Sequence, residues 1–373
     1  MENLEKKNKT LSDVIRELPR SISFLELVNK EFPEIPWDIE GIFESGTINM
    51  ISAPPNQYKS WIVQHMAICI ARGEDVFGQF KTKQKGVLIV NEEDNLRLLK
   101  DRSLMMINQK EDLNIYFLVG NGFKIDEMTI FEVLNSAKET NSTLVIFDSL
   151  RSIHTANEND SQEMQKVMDC FKKLTKNGIT VLFTHHNRKK SKFPGSNKDD
   201  GSGEESRGST AINAAIHGHL SCESIKREDG EYLIIRQQKL KCDKKIDPFL
   251  IKVEVDEENN KMNFIYKGEY DSQEDSFRKN KELVLKIIDG SDRWLSKREI
   301  ASFAECPEST TSKILQELEK DKLAITKTKK ELEKDGIKLE TNDLKHNAKF
   351  YFKNLKVEND GKEDYQAEEP FPF

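Results

Sequence analysis

Between residues 47 and 266, short apolar runs rich in β-branched residues alternate with longer stretches of helical periodicity. This alternation is what a parallel sheet with crossover helices requires. The runs are apolar almost throughout, which is typical of strands covered on both faces. The sequence therefore predicts an α/β core with a mainly parallel sheet. The predicted strands are 48–52, 87–91, 115–119, 143–147 and 180–184, the predicted helices are 60–72, 95–108, 126–140 and 161–177, and antiparallel strands are expected at 232–237, 249–255 and 262–266.

The composition is that of a water-exposed protein with room for two domains. The chain has 373 residues, of which 36% are hydrophobic and 33% are charged, and no apolar run approaches the length of a membrane span. Residues 1–10 are charged and polar, unlike a signal peptide. Five widely spaced cysteines without a CxxC pair indicate neither a disulfide framework nor a zinc site. We therefore expect a cytoplasmic protein with no membrane partner.

The turn after the first predicted strand resembles a phosphate-binding loop. The Walker A pattern has Gly at its first and sixth positions, Lys at the seventh and a hydroxyl at the eighth, and this chain has Ala53, Tyr58, Lys59 and Ser60 there. Lys59 would reach the β- and γ-phosphates of a nucleotide, and Ser60 would hold Mg²⁺. The expected nucleotide-binding residues are Ala53, Pro54, Pro55, Asn56, Gln57, Tyr58, Lys59, Ser60 and Trp61.

Tyr58 is the larger of the two departures from this pattern. Its Cβ and ring are expected where the backbone usually closes around phosphate, and a residue other than glycine resists positive φ. The loop by itself is also consistent with an alternative interpretation, an ordinary strand-turn-helix in which Lys59 is solvated.

Acidic residues end two further predicted strands. Asp148 follows one of them and is the candidate acid of the Mg²⁺ shell, although Asp also caps turns. Glu92, Glu93 and Asp94 follow another, at the sheet edge where ligands of open α/β folds bind. One of these three acids could orient and deprotonate an attacking water, while Asp94 could instead cap the next helix.

Two adjacent histidines, His185 and His186, end a third predicted strand. Neighbouring side chains of a strand point to opposite faces, so a metal site is not favoured. One imidazole is better interpreted as a sensor of the γ-phosphate. The stretches 184–192 and 236–245 are basic, and each is equally consistent with a solvated face.

These segments, in this order, resemble the RecA-like P-loop ATPases of the RepA type, the hexameric plasmid replication helicases. Segment 36–43 leads into the loop strand as in that family, and segment 206–210 is similar to its Arg-Gly-Ser-Ser turn. The resemblance covers about residues 33–266. It implies ATP and Mg²⁺ as cofactors, with Ser60 and Asp148 as the Mg²⁺ ligands. It also implies these catalytic residues: Lys59, Glu93 as the base, Asp148, His186 as the phosphate sensor, and Arg207 as an arginine finger.

The arginine finger would act on the site of a neighbouring subunit, which implies a homo-oligomeric ring or filament. Arg207 could alternatively close its own loop. Arg188, Lys189 and Lys190 would line a central channel and contact the phosphates of single-stranded DNA. The missing glycines bring the turnover of ATP into question more than its binding, and we expect slow hydrolysis of ATP.

Residues 280–356 predict a small α+β winged-helix domain. Helices are expected at 280–289, 297–304 and 308–320, and wing strands at 323–328 and 349–352. A helix-turn-helix unit places its second helix in the major groove, so the candidates for contacts with duplex DNA are Ser309, Thr310, Thr311 and Lys313. Acids on the same helix, Glu308, Glu317 and Glu319, would repel phosphate, which leaves a protein-binding role open.

The expected organisation is an N-terminal helical extension at 1–32, an ATPase domain at 33–270, a polar linker at 271–279, the winged helix at 280–356 and an acidic disordered tail at 357–373. The tail ends in Pro372-Phe373 and resembles the acidic tip of bacterial single-stranded-DNA-binding proteins, which implies replication proteins as partners. A solubilising tail is the alternative.

Three functions follow from these patterns. The leading hypothesis is a RepA-like ATPase that acts on DNA as a replication helicase or helicase-like protein of a phage, plasmid or mobile element. The alternatives are a nucleotide-gated DNA-binding or helicase-loader protein with little hydrolysis, and a RecA-type recombination or regulatory ATPase.

Overall fold

A computed structural model describes residues 21–186, 210–337, 339 and 347–354. The chain divides into two compact units, Met1–Lys267 and Gly268–Phe373. Most of the predicted extension at 1–32 and the whole predicted tail at 357–373 lie outside the described residues. Within the described part, no helix combines the length and the apolar character that a bilayer span needs.

A nine-stranded sheet forms the centre of the first unit, in the order β11-β10-β9-β8-β3-β7-β6-β4-β5. Strands β3 to β7 and the neighbouring β8 pair in parallel, and β8, β9 and β10 pair antiparallel. The α/β core with a mainly parallel sheet is thus confirmed. The strands are β1 Trp37–Ile39, β2 Phe43–Glu44, β3 Ile48–Ala53, β4 Gly86–Asn91, β5 Ile115–Val119, β6 Ser142–Asp148, β7 Thr180–His186, β8 Gly218–Arg227, β9 Gly230–Leu240, β10 Phe249–Asp256 and β11 Lys261–Glu269.

Helices cover both faces of this sheet, because successive residues of the central strands point to opposite sides. Ile51 of β3 joins the core formed with α2, whereas Met50 joins the core formed with α4 and α5. Aromatic rings fill the second core, where Phe171 lies between Phe147 and Phe183. The helices are α1 Phe24–Val28, α2 Lys59–Arg72, α3 Leu96–Met106, α4 Thr129–Glu139, α5 Ser161–Thr175 and α6 Thr210–Ala215.

Strand β8 is the main element of the core that the sequence did not predict. It starts at Gly218, and its second half mixes charged and polar residues with apolar ones, so no apolar run marks it. Gly218 is required at the start of the strand because a Cβ there would lie 2.5 Å from Oδ1 of Asn49. Close packing against β3 therefore explains a glycine that looks like a turn signal in the sequence.

The second unit combines helices with a three-stranded sheet in the order β12-β14-β13. Both strand pairs are antiparallel, and Leu295, Ile314, Leu315 and Leu318 lie in its apolar core. A short helix, Lys329–Lys334, lies in the connection between the two predicted wing strands. The elements are α7 Ser272–Asp289, β12 Leu295–Ser296, α8 Lys297–Phe303, α9 Glu308–Lys320, β13 Ala324–Thr328, α10 Lys329–Lys334 and β14 Lys349–Lys353.

The predicted polar linker at 271–279 is wrong, because residues 272–279 form the first half of α7 and residue 271 caps it. Asp271 caps the helix by accepting a hydrogen bond from the backbone N–H of Gln273 at 2.7 Å. Asp275, one turn further, is buried and pairs with Arg278 at 2.7 Å and Lys279 at 3.0 Å. The charged residues that suggested a solvated linker are thus spaced so that they form ion pairs along one face of the helix.

We predict that Phe171→Ala lowers the free energy of unfolding of the first unit by about 3–5 kcal/mol, since it leaves a cavity between two buried rings. Urea denaturation measures this change. Phe24→Ala is the matched control, because Phe24 is 79% exposed and its truncation leaves no cavity. Equal effects of the two substitutions would contradict the packing described above.

Candidate nucleotide-binding site

Lys59 is held inside the loop that joins β3 to α2. Its side chain is only 7% exposed, although it belongs to the first turn of α2. The ammonium donates hydrogen bonds to the carbonyl oxygens of Ala53 at 3.3 Å and Pro54 at 2.9 Å. The alternative in which Lys59 is a solvated residue of an ordinary helix is therefore wrong.

Burial lowers the pKa of Lys59, while the nearby carboxylates of Asp148 and Glu93 act in the opposite direction. The fold thus places a cation next to two acids at the carboxyl edge of the sheet. A partly desolvated ammonium interacts more strongly with an anion such as phosphate than a solvated one does.

Asp148 lies at the end of β6 and is 5% exposed. The hydroxyl of Thr184 on the adjacent β7 donates a 2.6 Å hydrogen bond to its Oδ1, and Ser60 also donates to this carboxylate. Burial raises the pKa of Asp148, and these two hydrogen bonds oppose that rise. Ser60 and Asp148 therefore meet, as expected for the Mg²⁺ pair, and their oxygens are the donors that Mg²⁺ prefers.

Two of the three acids after β4, Glu92 and Asp94, make contacts that hold neighbouring segments in place. Glu92 accepts hydrogen bonds from the backbone N–H groups of Asn121 at 3.1 Å and Gly122 at 3.0 Å. Asp94 pairs with the buried Arg102 of α3 at 3.0 Å. The alternative in which Asp94 caps the next helix is wrong, because the cap is Asn95, whose side chain accepts a hydrogen bond from the N–H of Leu98.

Glu93 is the acid of this group that faces the Asp148 segment. It is exposed, and its carboxylate accepts a hydrogen bond from the hydroxyl of Ser149, the residue after Asp148. Its backbone N–H donates to the side chain of Asn91 at 2.9 Å, which fixes the turn after β4. The geometry thus distinguishes Glu93 from its two neighbours as the acid that can reach a water at the site.

Trp61 links α2 to α3. The guanidinium of Arg102 stacks over its ring at 5.2 Å, while the same group pairs with Asp94. Trp61 was expected to contact nucleotide, and its observed role in this structure is to position Arg102.

The two histidines at the end of β7 have different surroundings. His185 is buried beside Ser52 of β3, and burial lowers its pKa to about 3, so it is neutral. His186 lies one residue further, beside Ala53, and is only partly buried. This favours His186 over His185 as the group that meets a phosphate. In the residues that the structure describes, no cluster of three or more His, Cys, Asp or Glu side chains could hold a metal ion.

Tyr58 takes the left-handed conformation that the Walker A glycine usually supplies, with φ of 53°, and Asn56 does the same with φ of 59°. The Tyr58 ring meets Phe264 of β11 edge-on, with 6.2 Å between ring centroids, and the Tyr58 hydroxyl donates a hydrogen bond to Glu231 of β9 at 2.7 Å. Burial and Glu231 both raise the pKa of Tyr58, so it stays protonated and donates. The expectation that the ring sits where the loop closes around phosphate is wrong, because the ring packs against β9 and β11.

Other candidates of the first unit have different outcomes. Arg188, Lys189, Lys190 and Arg207 lie outside the described residues. In the basic stretch 236–245, Lys239 and Lys241 donate to backbone carbonyls of the last residues of α6. These lysines therefore stabilise a helix end.

In the second unit, Ser309 and Lys313 are exposed on α9 and Thr310 is partly exposed. Thr311 is fully buried, and its hydroxyl donates to the carbonyl oxygen of Pro307 at 3.1 Å. Thr311 was wrongly included among the DNA-contacting residues, because the 3.6-residue period of the helix turns it towards the core.

The acids of α9 are paired within this unit. Glu308 lies 3.3 Å from Lys297 of α8, and Glu317 lies 2.9 Å from Lys281 of α7. Glu319 lies 3.8 Å from Lys349 of β14. Their repulsion of phosphate is thus partly offset by neighbouring cations.

Three residues of the site carried little or no signal in the sequence. Thr184 is the last residue of one predicted strand, and Ser149 follows Asp148 at the end of another. Both could have been found there, since side chains at strand ends meet across a parallel sheet. Glu231 lies more than one hundred and seventy positions after Tyr58, and only the pairing of β9 within the sheet brings them together.

The chain is similar to a family model and to solved structures of other proteins. A family model described as AAA domain matches residues 16–192. No curated protein matches the chain. A KaiC-like protein from Pyrococcus horikoshii is 14% identical with a TM-score of 0.40, covering 61% of this chain and 93% of that chain. The flagellar accessory protein FlaH from Methanocaldococcus jannaschii is 14% identical with a TM-score of 0.39, covering 60% and 90%. The strand order, the site and the AAA-domain match support an ATP-binding P-loop ATPase of RecA-like fold.

His219 gives a prediction for pH dependence. It lies against the Ser52 hydroxyl at 2.7 Å, and burial lowers its pKa from 6.5 to about 4. Between these two pH values the unfolded chain binds the additional proton, so the free energy of unfolding decreases as the pH falls from 6.5 to about 4. We expect His219→Gln to lose less stability than the wild type over this range in urea denaturation at a series of pH values. If the free energy of unfolding changes equally with pH in the two proteins, His219 is not buried in its neutral form.

Proposed function

We propose that this protein is a RepA-like ATPase that binds and hydrolyses ATP with Mg²⁺ and acts on DNA in the replication of a phage, plasmid or similar element, as a helicase or helicase-like protein. The observation that carries the proposal is the meeting of Lys59, the Ser60–Asp148–Thr184 group and the Glu93–Ser149 pair at one edge of the sheet.

Each side chain of this group has a role that its surroundings support. Lys59 binds the terminal phosphates from within the loop. Ser60 and Asp148 would hold Mg²⁺, which supplies positive charge to the phosphates when it is bound. Glu93 accepts the proton of the attacking water, and its hydrogen bond to Ser149 orients the carboxylate. His186 lies at the end of β7 beside the loop, where an imidazole can sense the γ-phosphate.

The arginine finger and the ring belong to the same proposal. Arg207 would complete the site of a neighbouring subunit, since charge that develops on the transferred phosphoryl group is stabilised by a guanidinium. Single-stranded DNA would pass along Arg188, Lys189 and Lys190. The resemblance to the RepA type supports both roles.

The second unit is proposed to engage duplex DNA as a winged helix. Its helices α8 and α9 lie between strands β12 and β13 of a small antiparallel sheet, and the exposed Ser309 and Lys313 lie in the first two turns of α9. The ion pairs of Glu308 and Glu317 support this role because they reduce the repulsion of a phosphate backbone. We propose ATP, Mg²⁺ and DNA as the ligands of the chain, and replication proteins as partners of the acidic tail.

The proposal predicts distinct effects at Glu93 and Lys59. Glu93→Gln should keep ATP binding and reduce DNA-stimulated hydrolysis by about 10²–10⁴-fold, since it removes the base and keeps the shape. Lys59→Ala should weaken ATP binding itself. Phosphate release and binding of a fluorescent ATP analogue measure the two effects. Glu92→Gln is the matched control, because Glu92 accepts hydrogen bonds from the backbone of the loop at 121–122.

Two results would change the proposed function. A wild type that binds ATP without turnover would favour the helicase-loader alternative, which the glycine-free loop supports. If Glu92→Gln reduces hydrolysis as much as Glu93→Gln does, the proposed role of Glu93 is contradicted.

For the second unit, we predict that Lys313→Ala weakens binding to duplex DNA and reduces the salt slope of binding by about 1. Lys320, exposed at the far end of the same helix, is the matched control. Fluorescence anisotropy of a labelled duplex at several salt concentrations measures both quantities. Equal effects of Lys313→Ala and Lys320→Ala would argue against the N-terminal part of α9 as the contact surface.

A further inference from the structure

The phosphate loop contains two residues, Asn56 and Tyr58, in the left-handed region that glycine normally occupies. Side chains of L residues adopt this region rarely, and such conformations persist only where the surrounding structure fixes them. Something other than the intrinsic preference of the loop must therefore hold its shape.

Two side-chain hydrogen bonds hold the loop to the hairpin of β8 and β9. The Tyr58 hydroxyl donates to Oε2 of Glu231 at 2.7 Å, and the backbone N–H of Ser224 donates to Oε1 of Gln57 at 3.1 Å. Glu231 and Ser224 belong to paired strands, in which Lys226 lies opposite Glu231. The contacts thus come from one rigid ladder of backbone hydrogen bonds.

The Tyr58 ring adds a third contact. It packs on the core of the first unit and meets Phe264 of β11 edge-on. A glycine at position 58 could adopt the same φ but would lack both the hydrogen bond to Glu231 and the ring contact with Phe264.

We propose that Tyr58 and Glu231 form a tether that fixes the glycine-free loop in its phosphate-binding shape, and that both are positioning residues for ATP. This inference rests on the proposed function, because it concerns the same nucleotide site. Glycine would adopt this backbone conformation freely, whereas Tyr58 is held in it by the contacts of its side chain with β9 and β11. It follows that Tyr58→Gly, which brings the loop nearer to the Walker A pattern, weakens the binding of ATP.

The test measures binding of a fluorescent ATP analogue and the kcat and KM of hydrolysis in the full chain. Tyr58→Phe and Glu231→Ala should each weaken binding by about tenfold, since each removes a hydrogen bond that involves a charged group. Glu231→Gln keeps an acceptor oxygen and should lie between Glu231→Ala and the wild type. The double variant Tyr58→Phe with Glu231→Ala should bind no more weakly than either single variant, because both remove one interaction.

The same hairpin offers a matched control. Tyr232 donates to Asp229 at 2.6 Å, so Tyr232→Phe removes a tyrosine–carboxylate hydrogen bond that does not touch the loop. Tyr232→Phe should leave ATP binding unchanged. Thermal unfolding of each variant shows whether the protein is folded when its affinity is measured.

Lys59→Ala separates this inference from the proposed function. If Lys59→Ala weakens ATP binding but Tyr58→Gly binds as tightly as the wild type or more tightly, the tether is overturned and the nucleotide site stands. Equal losses from Tyr58→Phe and Tyr232→Phe would also overturn the tether. If Lys59→Ala has no effect on ATP binding, the proposed function fails.

Discussion

A parallel sheet covered by helices on both faces leaves few places for polar side chains, and this constraint shapes the first unit. The faces of β3, β4, β6 and β7 are buried, so polar groups of these strands collect where the strands end. Lys59, Asp148, Thr184 and Glu93 all lie at this edge. The site is therefore a consequence of how the core is covered.

Burial also determines the electrostatics of the site. It acts against the charged forms of Lys59 and Asp148, and it keeps His185 neutral. Hydrogen bonds from Thr184 and Ser60 offset part of the effect at Asp148. A site with a desolvated cation and oxygen donors in place gains more from a bound phosphate and a divalent ion than a solvated site does.

Sequence patterns could predict the parts of this structure that depend on local order. The apolar runs located the parallel strands, and the Lys-Ser pair and the acids at strand ends located the site, because chemistry at a strand end is local in the sequence. Strand β8 could not be located, since its apolar residues are too few to form a run and its glycine serves close packing against Asn49. The polar start of α7 was interpreted as a linker because its charges pair only once the helix exists.

Under the proposed function, the loop at Tyr58 explains how a motif can be incomplete while its site is intact. A phosphate loop needs a backbone of a certain shape, and glycine is one means of reaching it, because it lacks the Cβ that disfavours positive φ. The contacts of Tyr58 with Glu231 and Phe264 are another means, since energy gained in packing and hydrogen bonding can hold a residue in a conformation it would otherwise avoid. A missing glycine in such a motif is therefore evidence about how the loop is held, and its effect on function depends on the residues that meet the side chain which replaces it.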